Sequence, residues 1–195
     1  LKIGDEGSYF TGDHAGLFGS ITKATIKDVI IDNVDIRASS NVGALVGSSG
    51  AGGIINGCSI TGDIVIKGNY KVGGLVGDGY SKIVGCSVVG NDGSIIAGEY
   101  KGDNQEGDNV GGIIGFLGED STVSDCSAKI DISGVRKVGG IIGSTPGGSN
   151  IDRCHYEGAA SIIWVDGYSE GKNLFLGGIL GEVASGKLGT FSDNS

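Results

Sequence analysis

Val72-Gly-Gly-Leu-Val-Gly77 is one of five near-identical hexapeptides in the chain. The others are Val42-Gly-Ala-Leu-Val-Gly47, Val110-Gly-Gly-Ile-Ile-Gly115, Val138-Gly-Gly-Ile-Ile-Gly143 and Leu176-Gly-Gly-Ile-Leu-Gly181. A shortened sixth copy reads Ala15-Gly-Leu-Phe-Gly19. From Gly19 through Gly47, Gly77, Gly115, Gly143 and Gly181 the steps are 28, 30, 38, 28 and 38 residues. Two units are therefore a short unit with about ten extra residues, and a period in this range is the mark of a solenoid or similar array.

A second element follows each hexapeptide. It reads Ile55-Asn-Gly-Cys58, Ile83-Val-Gly-Cys86, Val123-Ser-Asp-Cys126 and Ile151-Asp-Arg-Cys154, with the cysteine 11, 9, 11 and 11 residues past the hexapeptide's last glycine. Ile26-Lys-Asp-Val29 and Phe191-Ser-Asp-Asn194 fill the same slot in the first and last units. A third element is a short β-branched run such as Asp63-Ile-Val-Ile66 or Lys129-Ile-Asp-Ile132. Two linked signatures at matched offsets do not arise by chance.

These residues resemble the GLUG motif, a glycine-rich repeat of bacterial surface proteins. It occurs N-terminal to the catalytic domains of immunoglobulin A proteases and related zinc metallopeptidases, and in adhesin-like proteins of gut bacteria. The resemblance runs over residues 15–195. It implies an extracellular or cell-surface location, and it names no single activity.

Composition agrees with many short strands joined by tight turns. Glycine is 41 of 195 residues, about three times ordinary usage, and Pro146 is the only proline, which excludes collagen. Apolar runs are four to six residues long, rich in Ile and Val, and bounded by Gly, Asn, Asp or Ser, a strand pattern. Helix is disfavoured, because each internal glycine costs it about 1 kcal/mol. A unit of 28 residues supplies three strands and three turns. That length does not suit left-handed hexapeptide coils, so the expectation is an all-β, right-handed, three-sided parallel β-helix of about six coils. Leu45, Leu75, Ile113, Ile141 and Ile179 would then stack at about 4.8 Å. Cys58, Cys86, Cys126 and Cys154 would form a second ladder. The chain reads as a single domain over residues 1–195. Opening at Leu1-Lys2-Ile3 and lacking evident caps, it reads as a fragment of a longer protein with flanking domains on the same polypeptide.

The net charge of −9 argues against nucleic acid as a partner. No run approaches the roughly 18 apolar residues of a membrane-spanning helix, so membrane insertion is not expected. The cysteines show no CxxC spacing and share their slot with valine, which marks them as buried structural thiols. His14 and His155 are the only histidines, and neither HExxH nor a phosphate-binding glycine loop occurs. Neither a cofactor nor catalysis is expected of this segment. Asp103, Glu106 and Asp108 are a weak calcium candidate, because closely spaced carboxylates supply hard oxygen ligands.

The two expansions lie between the cysteine element and the next hexapeptide, within residues 87–109 and 155–175. They leave the solenoid on one side, two coils apart. They carry Tyr100 in one and Trp164 with Tyr168 in the other, an aromatic platform for host glycan or an extracellular protein. The alternative is that Trp164 only covers core. Three functions follow: a non-catalytic structural or presentation segment, an adhesin module binding through the expanded loops, or a polysaccharide-active β-helix enzyme.

Overall fold

The computed structural model describes residues 1–99, 108–163, 173–187 and 189–195. Among them every strand belongs to one of three sheets, and every pairing between strands is parallel. A short face holds five strands, Ser40–Gly43, Tyr70–Gly73, Asp108–Gly111, Lys137–Gly139 and Phe175–Gly177. The second face has ten strands, beginning at Phe18–Ile21 and ending at Thr190–Ser192. The third has nine, from Lys2–Ile3 to Ala160–Ile162. The chain visits the faces in that order in every coil, so a β-solenoid results.

The hexapeptide makes the corner between the short and second faces, and its glycines are a matter of space. A methyl group on Gly73 would stand 2.0 Å from the Val76 carbonyl oxygen and 2.8 Å from the Gly115 nitrogen. On Gly77 it would stand 2.4 Å from the Val42 nitrogen. Neither glycine has a positive φ, so what each supplies is room for a neighbouring strand to pass at backbone contact.

At the same corner the central apolar residues form a ladder. The Leu45 N–H donates to the Leu75 carbonyl at 3.0 Å, Leu75 to Ile113 at 3.0 Å, Ile113 to Ile141 at 2.9 Å and Ile141 to Ile179 at 3.0 Å. The first four side chains are fully buried, and Ile179 is partly buried. No single coil encloses such a core, which arises only by stacking.

The corner between the second and third faces is made differently. The residue ahead of the cysteine slot is left-handed in all six coils: Asp28 (φ 54°), Gly57 (62°), Gly85 (62°), Asp125 (55°), Arg153 (47°) and Asp193 (51°). Glycine and aspartate tolerate this region, whereas arginine rarely adopts it. Arg153 is held there by Asp125 one coil below, with Nε–Oδ1 at 2.6 Å and Nη2–Oδ2 at 2.9 Å. In the last coil Asn194 takes the cysteine position, accepts the Cys154 N–H at 2.8 Å and donates to the Ile151 carbonyl at 3.1 Å.

Cys58, Cys86, Cys126 and Cys154 are free thiols, each 1% exposed. Each points at the carbonyl two residues before it, at 3.2–3.4 Å. Burial pushes the Cys58 thiol up. Cys126 is pushed up further, first by hydrogen bonding with Cys154, then by Cys86 and by burial. Cys86 and Cys154 move the other way, lowered first by hydrogen bonding with Cys126, Cys86 to about 7. What shields all four is burial, which denies a reagent access to the sulfur. Ellman's reagent is therefore expected to leave all four unreacted in the native chain and to titrate all four in denaturant. Rapid reaction of even one native thiol would show that this corner opens.

Candidate functional site

The corner between the third and short faces varies in length, and it concentrates the candidate residues. In one coil it is closed by the single residue Asn69, between strands Ser59–Gly68 and Tyr70–Gly73. In another it takes two residues, Val135 and Arg136. In two coils the chain departs here instead. It leaves after strand Ile95–Gly98 and returns at Asp108, then leaves after Ala160–Ile162 and returns at Phe175. The extra residues are thus 99–107 and 163–174, at one corner, two coils or about 10 Å apart. Sequence spacing located both expansions but spread them over the whole interval from cysteine element to hexapeptide.

The loop roots are pinned to the coil below. The Glu99 N–H donates to the Gly68 carbonyl at 2.7 Å and the Ile163 N–H to the Gly134 carbonyl at 2.7 Å. On the return side, the Phe175 N–H donates to the Arg136 carbonyl at 2.7 Å. Charge reinforces the first root. The Glu99 carboxylate accepts a hydrogen bond from the Tyr9 hydroxyl and lies 3.2 Å from Lys67 Nζ. Burial, then the Glu99 hydrogen bond, pushes the Tyr9 phenol well above its ordinary range. Asp108 is a buried strand residue, and its carboxylate meets Arg136 Nη1 at 2.9 Å.

Tyr100, Trp164 and Tyr168 lie outside the described residues, as do Asp103 and Glu106 of the calcium candidate. Asp108 alone of that set is described, and its ion pair with Arg136 occupies it as a structural group. Among the described residues no three His, Cys, Asp or Glu side chains converge as metal ligands. His14 and His155 sit at the surface, their Nδ1 atoms 2.9 Å from Asn41 Nδ2 and Ser195 Oγ.

Carboxylates also gather on the third face, around a cavity of about 220 Å³ lined by Asp92, Asp131, Glu157 and Lys129. Lys129 Nζ lies 2.7 Å from Glu157 and, by hydrogen bond and charge, keeps that carboxyl below its usual range. Asp131 accepts the Ala159 N–H at 3.0 Å. Glycosidic cleavage needs one carboxyl raised to serve as acid. Glu157 is biased the other way.

Residues 106–133 match the GLUG motif family. The chain carries a GLUG motif. The matched stretch contains the Val110–Gly115 hexapeptide, the left-handed Asp125 and Cys126, so in this GLUG-motif chain it spans the corner elements of one coil. The other coils repeat that pattern at the spacings above. No curated protein and no solved structure matches the chain.

Proposed function

We propose that the GLUG-motif solenoid is a non-catalytic presentation segment of a secreted or cell-surface bacterial protein. The observation that carries this reading is the shared corner: both expansions leave from it, and described hydrogen bonds pin their roots to the coil below. A stack of that kind fixes where loops, or neighbouring domains of the same polypeptide, stand relative to one another. Its action is rigidity and display, without bond chemistry. Protease shaving of intact cells that make the protein is expected to release its peptides; their absence from the shaved fraction would overturn the surface location.

Loop excision tests the scaffold itself. Removing residues 100–107 leaves Glu99 where the short coil has Asn69, and removing 164–173 leaves Ile163 and Leu174 where another coil has Val135 and Arg136. Loop-closure entropy changes only slowly with length, so the doubly trimmed chain is expected to melt within about 5 °C of the parent. Loss of cooperative melting would mean that the loops belong to the fold.

The shared corner also favours a second reading, an adhesin module that uses these loops. It predicts specific binding on a glycan or matrix-protein array that disappears with Trp164→Ala and with loop excision, while stability is unchanged.

A further inference from the structure

Away from the variable corner, the second face bends midway along its strands and leaves a cavity of about 610 Å³, within the span of small-molecule sites. Three successive coils contribute to it. Gly52, Gly53 and Ile54 come from one, Tyr80 and Lys82 from the next, and Asp120 and Thr122 from the third.

Tyr80 is 48% exposed on this otherwise small-residue surface. Its ring lies against Gly118: a methyl group there would stand 2.3 Å from Cδ1 and 2.4 Å from Cε1. Only glycine at that place lets the ring rest on the coil. Glycine also forms the opposite wall. Next in the strand, Ser81 is 4% exposed, and strand alternation turns its side chain inward beside Ser49, away from the groove.

Charge narrows the ligand class. Glu119 and Asp120 line the cavity with Lys82, and Lys23 packs against Gly52 at its edge, with Cγ 3.5 Å from the position of an added methyl. Two cations and two anions give no net attraction for a strongly charged ligand. Half-exposed Ile54 and Tyr80 supply apolar area, while Asp120 and Thr122 supply acceptors and donors. A flat apolar plate bordered by short polar groups suits a ring with one C–H face and an equatorial rim of hydroxyls.

We propose that this groove is a subsite for a single neutral pyranose unit. The ring's C–H face lies on Tyr80 and its hydroxyls reach Asp120 and Thr122. The site is separate from the expanded loops and does not depend on their role.

Saturation-transfer NMR on the full chain tests it, with the methyl glycosides of glucose, galactose, mannose and N-acetylglucosamine as probes. Transfer to the C–H face of at least one probe is expected. Tyr80→Ala should weaken that binding by about tenfold or more, and Tyr80→Phe should leave it nearly unchanged. Binding should survive excision of residues 100–107 and 164–173. In the unmodified chain, the amide resonances of Gly52, Gly53 and Gly118 should shift on addition of the same sugar, a reading that stands even if a variant fails to fold. The proposal is overturned by silence with all four probes, or by binding that ignores Tyr80→Ala. Loss of binding on loop excision alone would also overturn it and place recognition on the loops. So would shifts at those glycines with N-acetylargininamide in place of any sugar, which would mark the groove as a cation site.

Discussion

Gly111→Ala is expected to abolish cooperative folding at room temperature or lower the melting temperature by roughly 10 °C. The added methyl would stand 2.2 Å from the Ile114 carbonyl oxygen, 2.7 Å from the Gly143 nitrogen and 2.8 Å from the Ile141 carbonyl oxygen. All three are backbone atoms, and two belong to the next coil. No side chain can turn aside to make room. Relief requires the two coils to separate, which breaks the bonds from Ile113 and Ile114 to the Ile141 carbonyl, at 2.9 and 3.1 Å. Overpacking against fixed backbone costs about 3 kcal/mol or more. Gly178→Ala is the control, since among the described residues nothing lies within 4 Å of the added methyl. It should leave stability unchanged or raise it slightly, by stiffening the unfolded chain. Ala44 already occupies the second glycine column in one coil, whereas the first column is glycine in all five full hexapeptides. Equal melting of the Gly111 and Gly178 variants would refute close backbone contact at this corner.

Ile113→Ala should cost about 3–4 kcal/mol, measured by urea unfolding. The side chain is fully buried between Leu75 and Ile141, and its loss leaves a void in the middle of the ladder. Neighbouring coils are locked in register by hydrogen bonds on both sides and cannot collapse into the gap. Ile179→Ala removes the same atoms from a partly buried position at the last rung of this ladder, so about half that loss is expected. In a one-dimensional stack the central substitution weakens coupling between the two halves, while the terminal one frays only its own coil. Hydrogen exchange should show this as protection lost on both sides of Ile113 but only near the last coil for Ile179. Equal losses at the two sites would mean that stability is not distributed coil by coil.

Much of the fold was legible because a solenoid writes its geometry as period. Hexapeptide spacing fixed which residues stack, and the cysteine element fixed a second column. Less visible was the left-handed residue ahead of each cysteine. Glycine and aspartate there are a turn signal, but Arg153 masks it, and only its contact with Asp125 explains the exception. Tyr80 was missed for another reason. In sequence it is one tyrosine beside a glycine, and its platform exists only because Gly118, 38 residues later, lies next to it in the following coil. Asp108 shows the converse. Its nearness to Asp103 and Glu106 in sequence suggested a shared role, while parallel pairing with Tyr70 draws it into a strand beside Arg136.

The variable corner has a further consequence for engineering. Chain can be added there without shifting the register of any strand, because each coil re-enters the ladder at a residue paired with the coil below. Single-residue Asn69 and the Val135–Arg136 pair mark two further positions of the same kind. Peptides grafted at these points would stand at separations set in steps of about 4.8 Å by the choice of coil. The molecule is in that sense a ruler with selectable graduations, and the native chain uses two of them.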